Sequence, residues 1–291
     1  MGQIVTIDQD VGGQRIFRGF RKVLFNVGAY CPEMIREGFF WKVKTNLGNY
    51  DLWSLFRRPR PMRVLLFDID GTLLAGAGAG KNALEEAFEA LYGKPIEIPP
   101  HSLSGRTDRA IGLELIRAHK LAPSHLELAE HGRLMNEYIR RLPARLDRAP
   151  GRVLPGISDL LEKLSKTDRV ALGLLTGNLR QGAHHKLSKF GLNSYFSFGG
   201  FGDFHENRDD VAREALEATN HALGKRGLSD YQSVWVLGDT PLDIRCARAI
   251  GARVLAVATG VHPLSELQQH QPDLLMENLS DSQAVAAALL E

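Results

Sequence analysis

The chain has 291 residues, 44% hydrophobic and 24% charged, which is the balance of a globular protein with enough apolar material for a real core. A net charge of +2 gives no strong pull toward nucleic acid or an anionic surface, so neither partner is expected. Residues 1–60 hold ten Lys and Arg against five Asp and Glu, and the remainder 26 against 29. A mildly basic leader therefore precedes a mildly acidic body, an imbalance that more often marks an exposed segment than a binding surface. Two cysteines, Cys31 and Cys246, suggest neither a disulfide framework nor a cysteine zinc site. No apolar run of about 18 residues and no secretory pattern is found, so a cytoplasmic protein without membrane contact is expected.

Residues 1–61 show no sustained period and close on Arg57-Arg58-Pro59-Arg60-Pro61, so they are read as an irregular leader of no assigned role. At Val64-Leu65-Leu66-Phe67 a short apolar run predicts a strand buried on both faces. Helices are then predicted over 81–92, 107–120 and 124–142, with Thr107 as a helix cap. After Pro155-Gly156 strands and helices alternate. Helices are expected at 157–166, 179–190, 209–223, 241–250 and 281–290, and strands at 169–175, 195–198, 233–238, 253–257 and 273–276. Repeated βα units imply an α/β fold, a Rossmann-like parallel sheet with helices on both faces. The core is expected at 62–75 and 152–291, with an inserted all-helical cap at 76–151.

Three predicted strands end on polar residues. The first runs into Asp68-Ile69-Asp70-Gly71-Thr72, the second into Thr176-Gly177-Asn178, and the last of the three into Gly238-Asp239-Thr240-Pro241-Leu242-Asp243. In open parallel sheets ligands bind outside the carboxyl ends of the strands. Four carboxylates gathered there repel one another unless a cation lies between them, and hard oxygen donors suit Mg²⁺.

These segments resemble the motifs of the haloacid-dehalogenase-like hydrolase superfamily, in its phosphoglycolate-phosphatase-like branch with a helical cap; the resemblance covers roughly residues 63–280. It implies a Mg²⁺-dependent phosphatase acting on a small phosphorylated metabolite, such as a phosphoglycolate-like acid or a sugar phosphate. Asp68 would attack phosphorus, and Asp70 would protonate the leaving oxygen and later deprotonate water. The resemblance makes Asp68, Asp70 (through its backbone carbonyl), Asp239 and Asp243 the metal set. Gly71, Thr72, Thr176, Gly177 and Asn178 would hold the phosphoryl group.

The family usually supplies a lysine between the second and last motifs. No lysine lies between Lys189 and Lys225, while Lys186 and Lys189 follow Thr176 closely and sit at the far end of their helix. Arg208 is therefore expected to stand in, because arginine keeps the charge and can fork onto two oxygens. In the cap, Arg106 of Ser104-Gly105-Arg106-Thr107-Asp108 is the candidate substrate contact. A phosphomutase of the β-phosphoglucomutase type would keep the same core residues, and a catalytically weak metal-binding scaffold is the reading from a different class.

Overall fold

The computed structural model describes residues 42–45, 48–51, 62–168, 170–225 and 231–291. Of the leader, only an antiparallel hairpin is described, β1 (Lys42–Thr45) with β2 (Gly48–Asp51), in a segment read from sequence as irregular. The rest of that expected leader lies outside the described residues. Residues Pro61–Glu291 form a separate compact unit.

That unit is built on β3 (Met62–Phe67), the apolar run ahead of the first acids. It is flanked on one side by β6 (Val170–Leu175) and β7 (Gly199–Gly200). On the other side lie β8 (Tyr231–Gly238), β9 (Arg253–Val257) and β10 (Leu274–Met276). The order is β10-β9-β8-β3-β6-β7, and every pairing is parallel. Side chains alternate across a strand, so Leu65 and Phe67 enter one core layer and Val64 and Leu66 the other. The first layer is closed by α4 (Ile157–Ser165), α5 (Arg180–Lys189) and α9 (Ser282–Leu290). The second is closed by α6 (Arg208–Gly224), α7 (Pro241–Ala249) and α8 (Leu264–Gln269). Burial on both faces is why these strands read as continuous apolar runs.

Beyond β3 a two-residue ribbon, β4 (Leu74–Ala75) with β5 (Arg152–Val153), ties together the ends of a helical insert. The insert holds α1 (Ala79–Tyr92), α2 (Asp108–Ala118) and α3 (Glu127–Arg148), packed around Phe88, Leu134, Tyr138 and Leu142. Thr107 caps α2 by accepting a hydrogen bond from the Ala110 N–H. The helix expected to stop at 142 continues through Pro143, because Leu142 and Leu146 extend its buried face past the proline. The strand expected at 195–198 is instead a 3₁₀ turn, Asn193–Tyr195, followed by β7. Only Gly199 and Gly200 pair in register with β6, and the Leu174 N–H donates to the Phe198 carbonyl just before them. Helix α8 and the β4–β5 ribbon have periods too short to be predicted. No helix among the described residues is long and apolar enough to cross a membrane.

Candidate active site

The acids gather where the three central strands end. The Asp68 N–H donates to the Leu237 carbonyl of β8, which fixes the end of β3 against its neighbour. The chain then reverses through Gly71, whose φ of +82° few side chains tolerate. A Cβ at Gly71 or at Gly260 would overlap the Asp239 carboxylate, so two glycines make the space this acid occupies. Thr72 donates to Asp239 across 3.2 Å. Asp243 forms a capping box with Thr240 at the start of α7, its Oδ2 accepting from the Thr240 N–H and hydroxyl.

Asp68, Asp239 and Asp243 are all buried, with carboxylate oxygens within 4.8 Å of one another. Arg208, itself 3% exposed, reaches in from the first turn of α6. It meets Asp243 at 2.6 Å and Asp68 at 3.0 Å. The same guanidinium donates to the carbonyls of Gly105 and Leu175, while its Nε has no partner among the described residues. Its sequence neighbours are engaged elsewhere, Asp209 with Arg245 and Asp210 with Arg213.

Lys186 corrects the sequence reading. It lies near the end of α5, yet its ammonium sits 2.5 Å from Asp70 and 2.6 Å from Asn178 Oδ1, nearly buried. Side chains of a helix lean toward its N-terminus, and α5 is only ten residues long. A long lysine on the last turn therefore reaches back to the strand ends. Its counting distance from Thr176 concealed it.

Asn178 links the second motif to the first. Its amide donates to Asp70 and to the Thr176 hydroxyl, both at 2.8 Å. Gly177 is bare because the Arg106 backbone packs on it, and the Asp108 N–H donates to the Gly177 carbonyl. The Arg106 turn therefore meets the motif residues through its main chain. The Arg106 guanidinium instead pairs with Glu114 at 2.5 Å and with the Ser102 carbonyl. Asp108 and Tyr138 also line the cavity of about 400 Å³ that opens over the acids. Sequence reasoning passed over both, since one reads as a first-turn helix acid and the other as part of an apolar face.

The electrostatics favour a bound cation. Burial pushes Asp68 up to about 6 against the pull of Arg208, and Asp243 and Asp70 add to the rise. Burial, then Asp243 and Asp68, drives Asp239 well above the usual carboxylate range. Three buried carboxylates lie beside one guanidinium, which meets only Asp68 and Asp243, so the formal excess is two negative charges. Among the described residues Asp239 has only the Thr72 hydroxyl as a hydrogen-bond partner, in a space cleared by two glycines. That donor set fits a small divalent ion. Asp70 differs: burial acts to raise it, but the charge and hydrogen bonds of Lys186 and Asn178 outweigh burial and hold it below its ordinary value.

Comparison with known proteins places these residues in a lineage. The family described as haloacid dehalogenase-like hydrolase matches residues 65–257. The protein named "Probable phosphatase IndB" of Dickeya dadantii is 28% identical over 235 residues, covering 78% of this chain and 95% of the relative. The phosphoglycolate phosphatase of Synechococcus elongatus is 28% identical over 222 residues, covering 76% and 95%. Among solved structures, a haloacid dehalogenase-like hydrolase from Streptococcus pneumoniae superposes with a TM-score of 0.53 at 22% identity, covering 77% of this chain and 98% of that one. CbbY from Rhodobacter sphaeroides does so at 0.56 and 20%, covering 76% and 96%, which shows a shared fold.

Proposed function

This chain belongs to the haloacid dehalogenase-like hydrolase family, and from that premise we propose that it is a Mg²⁺-dependent phosphatase working through an aspartyl-phosphate on Asp68. One observation carries the reading most. Two acids a single residue apart face one cavity, each with its own cation, Asp68 with Arg208 and Asp70 with Lys186. The substrate is a small phosphomonoester, in keeping with the size of that cavity and the names of the relatives.

Asp68, Asp239, Asp243 and the Asp70 carbonyl would hold the metal. When bound, Mg²⁺ neutralises the phosphoryl oxygens so that an anionic nucleophile can approach. Asp68 attacks phosphorus, the ester P–O bond breaks, and Asp70 gives its proton to the leaving oxygen. Asp70 then takes a proton from water, which attacks the phosphorus of the aspartyl-phosphate. The P–O bond to Asp68 breaks, and phosphate and free Asp68 result. The Lys186 contact keeps Asp70 ionised, the form that accepts that proton, so the donor role requires this contact to loosen. Arg208 orients Asp68 and offsets its charge, and Thr176 with the amides at Gly177 and Asn178 lines the place of the phosphoryl group; the Gly71 amide expected there is taken by the Leu74 carbonyl, and the Thr72 hydroxyl by Asp239. The helical insert at 76–151 acts as a cap that excludes water from the cavity.

The test is phosphate release from a panel of small phosphomonoesters with Mg²⁺ and with EDTA. Metal-dependent release that disappears in Asp68→Asn supports the reading. Release unaffected by EDTA, or an active Asp68→Asn enzyme, contradicts it.

A further inference from the structure

We propose that the cavity contains a second oxyanion site, formed by Lys186, Tyr138 and the first turn of α1, which receives an acid group on the substrate's leaving group. The role of that acid group rests on the phosphatase reading; the site itself rests on four observations.

Helix α1 opens at Gly78 without a side-chain cap. The Ala79 N–H is satisfied by the Gly76 carbonyl, but those of Gly80 and Lys81 have no acceptor among the described residues. Gly80 is bare where it faces the cavity, and a Cβ there would stand 3.6 Å from both Lys186 Nζ and Tyr138 Oη. The ammonium and the phenol therefore converge on one small volume. An ammonium has three N–H donors; Asp70 and Asn178 take two, which leaves one free.

Tyr138 is 3% exposed, lines the cavity, and has no hydrogen-bond partner among the described residues. Burial, reinforced by Asp108 and Asp70, keeps its phenol protonated and a donor. The two acids beside this space each have one oxygen engaged, Asp70 Oδ2 with Lys186 and Asn178, and Asp108 Oδ2 with the Leu179 N–H. The groups that meet beside Gly80, namely the third Lys186 N–H, the Tyr138 hydroxyl and the amides of Gly80 and Lys81, are all donors, at the positive end of a helix. Such a set calls for an acceptor with several lone pairs, which is a carboxylate or phosphoryl group.

Geometry also limits the substrate. Lys186 touches Asp70, the group that faces the leaving oxygen. An oxyanion held by Lys186 is then only a few atoms from that oxygen, so the leaving group is short. A two-carbon acid ester and pyrophosphate both satisfy this.

The experiment is isothermal titration of the full-length Asp68→Asn protein in Mg²⁺ with 2-phosphoglycolate, pyrophosphate and ethyl phosphate. At least one of the two oxyanion-bearing ligands is expected to bind about tenfold or more tighter than ethyl phosphate, the worth of a charge-assisted hydrogen bond. Whichever does so names the acid as carboxylate or phosphoryl. Tyr138→Phe, which deletes one donor, and Gly80→Ala, which fills the space at ordinary contact distance, should each reduce that ratio. Ratios of kcat/KM in the protein with Asp68 intact provide a second measurement. Equal affinities for all three ligands, equal weakening of all three by the substitutions, or no binding of any overturns the site. Failure of the phosphatase reading shows separately, as no phosphate release from the unsubstituted enzyme.

Discussion

The Lys186 ammonium lies 2.5 Å from the Asp70 carboxylate, although the two residues are 116 positions apart in the chain. With Arg208 on Asp68, it gives each acid of the Asp68-Ile69-Asp70 turn a separate counter-ion. Two chemically similar carboxylates are thereby set in different fields, one pushed up by burial and the other held down by a lysine.

Lys186→Met should keep the fold, since the stem of the side chain packs much as before, but leave Asp70 without its cation. A charge-assisted hydrogen bond is worth about 1.5–3 kcal/mol, so kcat/KM should fall by roughly tenfold to a hundredfold. Steady-state kinetics on the best substrate decides this. An unchanged kcat/KM would remove Lys186 from the site.

Arg208→Met would leave Asp68 and Asp243 buried with no partner charge. Breaking such a buried pair costs about 3–5 kcal/mol. Denaturant unfolding in EDTA should show a loss of that order, and Arg208→Lys should recover part of it while failing to bridge both acids. A loss below about 1 kcal/mol would mean that the cluster is not held by Arg208.

Asp239 is crowded by Asp68 and Asp243 and makes no ion pair among the described residues. Mg²⁺ should therefore raise the thermal midpoint of the unsubstituted protein. Asp239→Asn should raise the metal-free midpoint by relieving repulsion, and should abolish the response to Mg²⁺. The two effects run in opposite directions, so calorimetry with and without EDTA separates them from a general loss of structure.

His131 lies buried in the helical insert, and its Nε2 has no partner among the described residues. Burial, with the Arg109 charge, pushes it down to about 4 from an ordinary value of 6.5. Between those values the unfolded chain binds a proton that the folded chain does not. Stability should therefore fall as pH drops through 6.5, by at most about 1.4 kcal/mol per pH unit, and this loss should level off near pH 4. Unfolding series across pH 4–7 should show a shallower slope for His131→Leu. Identical slopes would contradict the assignment.

The architecture was legible because strands buried on both faces leave unbroken apolar runs, and Val64–Phe67 and Val234–Leu237 are such runs. The acids were legible because they follow those runs directly. Arg208 was found by elimination and does meet Asp68, but the elimination wrongly removed Lys186. Spacing along the chain measures where a Cα lies, whereas the ammonium of a lysine acts several ångströms away and toward the helix N-terminus. Arg106 shows the converse: its turn packs against Gly177, while its guanidinium turns outward to Glu114. Tyr138 could not be found from pattern, because a tyrosine among Leu134, Leu142 and Leu146 reads as core until the cavity beside it is seen.

The most direct test of the covalent mechanism is a single turnover quenched into borohydride, which reduces an acyl phosphate to the alcohol, followed by peptide mapping. The account predicts homoserine at position 68, formed only when Mg²⁺ and a turned-over substrate are both present. Phosphate release with Asp68 recovered unmodified, or reduction at another carboxylate, would contradict it.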